Sequence, residues 1–466
     1  MARPHHHSHQ QQLGEEIAIN PLFARQGESS VPRFHLARHG LLPETAYQVI
    51  HDELTLDGNA RLNLATFVGT WMEPQARVLY GEAADKNMID KDEYPQTAAI
   101  EERCAHIMAS LWNAPDARES LGVSTTGSSE ACLLAGLVLK RRWQNARKAQ
   151  GLSTEKPNMV FSSAVQVVWE KFANYFEVEP RYVQVSPQAP VLSPAGVAEA
   201  VDENTIGVVA VLGVTYTGVY EPVAEIAHVL DDIQQQSGLD IPMHVDAASG
   251  GFVAPFLQPD LKWDFRLPRV HSINASGHKY GLVYPGLGWQ VWRHRDFVPS
   301  ELIFDVSYLG GDMPTLALNF SRPGAQVLLQ YYNFLRLGWQ GYYEVQHTCQ
   351  TVARFLARNI GSMPMFEVLS DGSDLPVLAW KLKAANDRWN LYDLSHLLRE
   401  RGWQVPAYPL PPAMEDTVIM RVVVRNSFSM DLARLFWEDF RRQVDYLEQL
   451  DGPYPHPQTR AKGFHH

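Results

Sequence analysis

Residues 243–251 read MHVDAASGG. An apolar run with a β-branched residue, ending in small and polar residues, is how a strand buried on both faces reads. Three other stretches read alike: MVFSS (159–163), IGVVAVLGVTYTG (206–218) and RVHSINASG (269–277). Helical stretches separate several of them, among them Ala99–Trp112 and Glu130–Gln150. This alternation predicts an α/β fold, a mostly parallel sheet with helices on both faces. Ligands of such sheets sit beyond the carboxyl ends of the strands.

The pattern changes after about residue 345. A helix over Val345–Arg358 is followed by strands VLAWKL (377–382) and VIMRVVVR (418–425), with a helix over Leu391–Arg401 between them. A last helix covers Met430–Leu450. The division predicted is a tail and helical segment over 1–58, a large domain over 59–345, a smaller α+β domain over 346–452 and a tail over 453–466. Within the first segment Ala46, Val49, Ile50 and Leu54 form one face of a helix over Pro43–Leu54. The His- and Gln-rich start, MARPHHHSHQQQ, is a native tail or an added tag, and a poor candidate for packed structure.

The chain has 466 residues and a formal net charge of −12, from 52 acidic and 40 basic residues. An acidic surface repels phosphate backbones and argues against nucleic-acid binding. Three scattered cysteines, Cys104, Cys132 and Cys349, suit neither a disulfide framework nor a zinc site. Reduced thiols and the lack of a membrane-spanning apolar run or a secretory leader predict a cytoplasmic protein.

Three short motifs carry chemistry. In SGHKY (276–280), Lys279 follows a strand end and a glycine. A lysine forms a Schiff base with an aldehyde cofactor only when partly neutral, which a sheltered position provides. In HVDAASGG (244–251), Asp246 ends a buried strand, where a carboxylate needs a partner such as a protonated pyridine nitrogen. In TTGSSEA (125–131), the hydroxyls of Ser128 and Ser129 and a run of backbone N–H groups open a helix and make an anion cradle. Each motif has a plainer alternative: a solvated loop lysine, a capping aspartate, an ordinary serine N-cap. The order of cradle, carboxylate and lysine is that of fold-type I pyridoxal-phosphate (PLP) enzymes.

At this point the chain resembles the glutamate decarboxylases of bacterial type. The resemblance rests on LDGNARLNLATF (56–67), KNMIDKDEYPQTAAIEERC (86–104), TTGSSEACLLAG (125–136), GVTYTG (213–218), HVDAASGGF (244–252), SINASGHKYGLVYPGLGW (272–289), YLGGDMPTLALNFSRP (308–323) and RGWQVPAYPL (401–410). It implies a PLP-dependent release of carbon dioxide from L-glutamate, yielding γ-aminobutyrate and consuming a proton, with a family role in acid tolerance. It implies that Lys279 carries the cofactor and that Asp246 pairs with its ring nitrogen. Ser128, Ser129, Ser276 and His278 would hold the phosphate, joined by Ser321 of the partner subunit. Gln166 would lie over the ring, where many decarboxylases of other amino acids place histidine, and Thr215 near the ring hydroxyl. Arg425 would bind the α-carboxylate; the alternative for it is a solvated strand end. Thr66, Asn87 and Asp90 would surround the distal carboxylate. An aspartate facing a carboxylate requires one of the two to be protonated, which favours acidic pH.

The chain ends KGFHH, and the resemblance implies that His465 masks the site as pH rises; an idle tail is the alternative. It also implies a homodimer, possibly a homohexamer through N-terminal segments, although this N-terminus departs from the family pattern. Competing functions are a PLP decarboxylase or lyase for another amino acid, a non-catalytic relative, and a metal binder built on His5, His6, His7 and His9. Those four histidines have no carboxylate or cysteine beside them.

Overall fold

The computed structural model of the chain describes residues 34–306 and 313–455. His465, the four histidines near the start and residues 308–312 of the motif at 308–323 lie outside the described residues. The described residues fall into two units, divided between Ala60 and Arg61. The first holds one helix, α1 (Pro43–Leu54), the helix read from its apolar spacing. It opens on Pro43, whose missing N–H would have no helical partner in any case.

The second unit runs α2 (Pro74–Glu82), α3 (Pro95–Leu111), β1 (Leu121–Thr125), α4 (Ser128–Ala149), β2 (Asn158–Ser162), α5 (Val167–Tyr175), β3 (Glu179–Val183), α6 (Pro194–Ala200), β4 (Thr205–Val211), α7 (Val223–Ser237), β5 (Met243–Asp246), α8 (Ala254–Leu257), β6 (Val270–Ala275) and β7 (Gly288–Trp292). The seven strands form one sheet in the order β1-β7-β6-β5-β4-β2-β3. From β6 to β3 all neighbours are parallel, and β7 is antiparallel to both β6 and β1. No crossover helix separates β6 from β7, so the chain returns antiparallel. Two reversals leave β1 running with the parallel strands. The carboxyl ends of β1, β5 and β6 therefore open on the same edge of the sheet, which is what gathers the three motifs.

Alternation along β4 shows how both faces are covered. Val208 and Ala210 enter a core with Trp112, Ile226 and Leu230. Val209 and Val211 enter another with Leu139, Trp169 and Phe172. The same period places Met243 and Val245 of β5 in the first core, and turns His244 and Asp246 toward Trp169 on the opposite face.

Beyond the sheet come the hairpin β8 (Phe304–Val306) and β9 (Met313–Thr315), then α9 (Ala325–Gly361). α9 is two helical stretches joined at Gly338, whose φ of 58° and ψ of −169° interrupt the helix. The helix predicted at 345–358 is part of its second stretch. The chain closes with β10 (Phe366–Asp371), β11 (Val377–Leu382), α10 (Leu391–Glu400), β12 (Ala407–Pro409), β13 (Val418–Val423) and α11 (Met430–Glu448). The antiparallel order is β10-β11-β13-β12. Trp380, Trp389, Phe436 and Phe440 fill the core beneath, and Leu64 joins them from far upstream. Leu64 N donates to Gln404 O at 3.0 Å, and Val423 N donates to Leu64 O at 2.9 Å. Residues 63–69 thus form a strap over the C-terminal sheet. No helix among the described residues is long and apolar enough to cross a membrane.

Gly136 on α4 packs against the buried ring of Phe172, and an added Cβ would lie 2.6 Å from Phe172 Cζ. Helix propensity favours alanine over glycine by about 1 kcal/mol, but forcing a methyl into a filled core costs about 1–3 kcal/mol. Gly136→Ala is therefore expected to destabilise the protein, lowering its denaturation midpoint despite the better helix former.

Candidate functional site

Lys279 and Asp246 meet at the carboxyl edge of the central strands. Lys279 lies in the turn after β6, with Nζ 3.4 Å from Ser249 Oγ and 5.2 Å from the centre of the Phe67 ring. Burial pulls its ammonium below the usual lysine range; the Asp246 charge opposes this and the Arg421 charge adds to it. A lowered pKa favours the unprotonated amine that an attacking nucleophile requires. Asp246 is buried, and its carboxylate is fully engaged. Trp169 Nε1 donates to Oδ2 at 2.9 Å, Asn274 Nδ2 to Oδ1 at 3.1 Å and Ala248 N to Oδ1 at 3.2 Å. The Cys132 thiol lies 3.6 Å from Oδ2, and burial pushes its pKa well up, so it stays protonated. Asp246 thus closes the turn at Ala248 and is also held by Trp169 and Asn274.

The cradle forms where β1, β6 and β7 converge. Ser128 Oγ and Ser276 Oγ are 2.7 Å apart, although the two serines are far apart in sequence. Ser129 is exposed on the first turn of α4. His278 Nδ1 accepts from Gly286 N at 3.2 Å and from Leu287 N at 3.1 Å. That commits Nδ1 as an acceptor and leaves the ring proton on Nε2. Burial, and then the Lys279 charge, push the imidazole pKa down to about 4, so it is a neutral donor. Gly127 and Gly288 make room: a Cβ on Gly288 would lie 2.6 Å from Ser128 N, and one on Gly127 would lie 3.1 Å from His278 Cε1. The concavity therefore has hydroxyls, a neutral N–H and a helix N-terminus lining it, a fitting set for a phosphate dianion.

The remaining expected residues fall into two further groups. Thr66 lies on the strap, its Oγ1 accepting from Val68 N at 3.2 Å. Arg425 is buried and holds the same strap: its Nη1 donates to Val68 O and its Nη2 to Asn63 O, both at 2.6 Å. Gly69 N in turn donates to His278 O at 2.6 Å, which ties the strap to the lysine turn. Gln166 caps α5, its Oε1 accepting from Val168 N at 2.6 Å, and it is half-buried. Thr215 offers its backbone O to Arg421.

Asn87, Asp90 and Ser321 form the other group. Asn87 Nδ2 donates to Ser321 Oγ at 3.3 Å, and Arg322 N donates to Asn87 Oδ1 at 3.2 Å. Asp90 N closes a turn onto Asn87 O at 3.1 Å. No described hydrogen bond joins Asn87, Asp90 or Ser321 to Thr66 or Arg425.

Several residues of the site escaped the sequence reading. Trp169, Cys132, Asn274 and Ser249 surround Asp246 and Lys279 from four different elements, and nothing local marks them. Arg421 is the clearest omission. Its guanidinium bonds to Thr215 O and, at 2.6 Å, to Ala65 O, and lies 4.8 Å from the Phe67 ring centre and 5.5 Å from that of Tyr408. It sits four residues before Arg425 in VIMRVVVR, a spacing that puts both arginines on one side of the strand line. Among the described residues no cluster of histidine, cysteine and carboxylate side chains is placed to hold a metal.

Comparison with known proteins points to one family. Residues 35–383 match the family described as the pyridoxal-dependent decarboxylase conserved domain. A glutamate decarboxylase of Aliivibrio fischeri is 51% identical over 439 residues, covering 94% of each chain. A glutamate decarboxylase of Lactococcus lactis is 46% identical over 453 residues, covering 96% of this chain and 97% of the relative. The solved structure of a Lactobacillus brevis glutamate decarboxylase superposes with a TM-score of 0.89 at 48% identity, covering 92% of this chain and 98% of that one.

The fit of the cradle depends on backbone approach at Gly288. Gly288→Ala is expected to weaken the affinity of the apoprotein for pyridoxal 5′-phosphate by about 10-fold or more, the loss of one charged hydrogen bond. Absorbance titration of the apoprotein measures this, and an unaltered dissociation constant would contradict the cradle as drawn.

Proposed function

We infer the division of labour among its residues from one premise: this chain belongs to the pyridoxal-dependent decarboxylase family, and converts L-glutamate into 4-aminobutanoate and carbon dioxide. The observation that carries the assignment of roles is the desolvated Lys279 amine beside the fully hydrogen-bonded Asp246 carboxylate, above a cradle of Ser128, Ser276 and His278. Pyridoxal 5′-phosphate fits that set, and when bound it supplies a sink for the electron pair released with carbon dioxide.

Lys279 would hold the cofactor through its Nζ. That amine would also stand near the reacting carbon, which must gain one proton for each carbon dioxide lost. Asp246 keeps the ring nitrogen protonated by offering a fixed negative charge. Ser128, Ser129, Ser276 and the Nε2–H of His278 anchor the phosphate. Gln166 has committed its oxygen to Val168, so its amide NH₂ is the group turned to the ring. Thr215 flanks the ring hydroxyl, its loop held by Arg421.

Arg425 would bind and orient the α-carboxylate through its guanidinium fork. Its terminal nitrogens already hold Asn63 O and Val68 O. Substrate binding at this fork is therefore coupled to the strap that carries Thr66. Thr66, Asn87 and Asp90 surround the distal carboxylate, where Asp90 and the substrate cannot both be charged at low cost. That makes acid-favoured turnover the natural outcome. Ser321 completes the phosphate site of the partner subunit in a homodimer. Because Asn87 is bonded to Ser321, the same crossing delivers Asn87 to that site. A cytoplasmic location accords with three buried, unpaired thiols, Cys104, Cys132 and Cys349.

Replacing Lys279 with Ala is expected to lower kcat by on the order of 10²–10⁴-fold or more, the share of a positioned base. It should also abolish borohydride trapping of the cofactor. Full activity in Lys279→Ala would overturn the assignment. Turnover should take up one proton per glutamate, because a carboxylate leaves as neutral carbon dioxide. In an unbuffered pH-stat, acid consumption should therefore match 4-aminobutanoate formed.

A further inference from the structure

We propose that Ser272, His244 and Asn274 form a buried relay that positions Asp246 and aims its carboxylate at the cofactor ring nitrogen. The proposal rests on the role given to Asp246 above. Strand alternation and register create the relay. His244 and Asp246 point to one face of β5, and Ser272 and Asn274 to the same face of the neighbouring β6. The parallel pairing sets His244 beside Ser272 and Asp246 beside Asn274. His244 Nδ1 is 2.8 Å from Ser272 Oγ, His244 Nε2 is 2.8 Å from Asn274 Oδ1, and Asn274 Nδ2 donates to Asp246 Oδ1 at 3.1 Å. His244 and Asn274 are fully buried and Ser272 is almost so.

The direction of these bonds is determined. A carboxylate accepts and cannot donate, so Asn274 must turn its NH₂ toward Asp246 and its oxygen toward His244. An amide oxygen then requires Nε2 to carry the imidazole proton. Nδ1 is left as an acceptor, and the Ser272 hydroxyl must donate to it. Burial pushes the His244 pKa down to about 4, which keeps the ring neutral with a single proton to place. Turning the Asn274 amide over would require the imidazole to change tautomer and the serine to turn its hydrogen away. The Asn274 donor is thereby held toward Asp246 by two further groups.

The other groups facing this cluster do not substitute for it. Trp169 from α5 donates to the other oxygen, and Cys132 from α4 stays a thiol. Burial lowers the pKa of Lys279 from the β6 turn. Glu221, which feels the Asp246 charge, is pushed up to about 7, chiefly by its own burial. Position is therefore assigned to Asn274 and His244, and chemistry to Asp246.

The test uses purified apoprotein and the reconstituted enzyme. Asn274→Asp, a change of nearly equal size, puts an acceptor where Asp246 needs a donor. It should raise the dissociation constant for pyridoxal 5′-phosphate by about 10-fold or more and lower kcat, while leaving KM for glutamate within about twofold. His244→Leu, which cannot donate to Asn274, should show the same split more mildly, and His244→Gln, which can donate, should recover part of it. The pair also serves if Asn274→Asp does not fold. Lower thermal midpoints with unchanged cofactor affinity and kcat in these variants would overturn the relay, as would equal behaviour of His244→Leu and His244→Gln. Asp246→Ala separates the premise: normal cofactor affinity and kcat there would sink the role of Asp246, whereas loss there with intact Asn274 and His244 variants would sink the relay alone.

Discussion

A carboxylate buried at the end of a central strand organises much of this molecule. Leaving such a charge without partners costs several kcal/mol, so the fold surrounds Asp246 with donors from α5, β6 and the following turn. Those donors fix where α5 begins relative to the sheet and which face of β6 turns inward. Lys279 inherits its depressed basicity from the same packing, because the wall that buries Asp246 also buries the amine. One desolvated pair thus links the sheet register to the reactivity of the site.

The C-terminal sheet reaches this pair through the strap at 63–69. Two arginines of one strand line grip it: Arg421 at Ala65 O, and Arg425 at Val68 O and Asn63 O. Arg421 also reaches Thr215 O, so the strap, the loop after β4 and the C-terminal sheet share one charged fastener. The Phe67 ring lies close to both Arg421 and Lys279, holding two cations near an apolar face. The strap thus links Arg425 to Thr66, two residues proposed to bind the carboxylates of glutamate.

A second fastener ties the segment carrying Ser321. Arg322 Nη2 bonds to Glu101 Oε1 at 3.1 Å, and Ser124 N donates to the same oxygen at 2.9 Å. Ser124 stands one residue before the end of β1, so this ion pair connects α3, the start of the cradle and the Ser321 segment. Glu130 on α4 adds Asn319, whose Nδ2 donates to it at 3.1 Å. Both side chains of the Arg322–Glu101 pair are nearly buried, which makes breaking the pair costly and its geometry dependable.

Strand and helix placement was legible in the chain because buried strands and amphipathic helices write their periodicity locally. MHVDAASGG, RVHSINASG and TTGSSEA announced where Asp246, Lys279 and the serines would stand. β3 is largely exposed and shows no buried run, so nothing in its residues announced a strand. The antiparallel return of β7 depended on what β6 and β1 could pair with. What only the tertiary structure decided was company: that Asn274 bonds to Asp246, that Arg421 fastens Ala65 and Thr215, and that Asn87 bonds to Ser321. Residue type and local period are properties of a neighbourhood in sequence, whereas a hydrogen-bond partner hundreds of positions away is chosen by register and packing. The chemistry available to this protein was therefore written in its residues, and their aim was set by the fold.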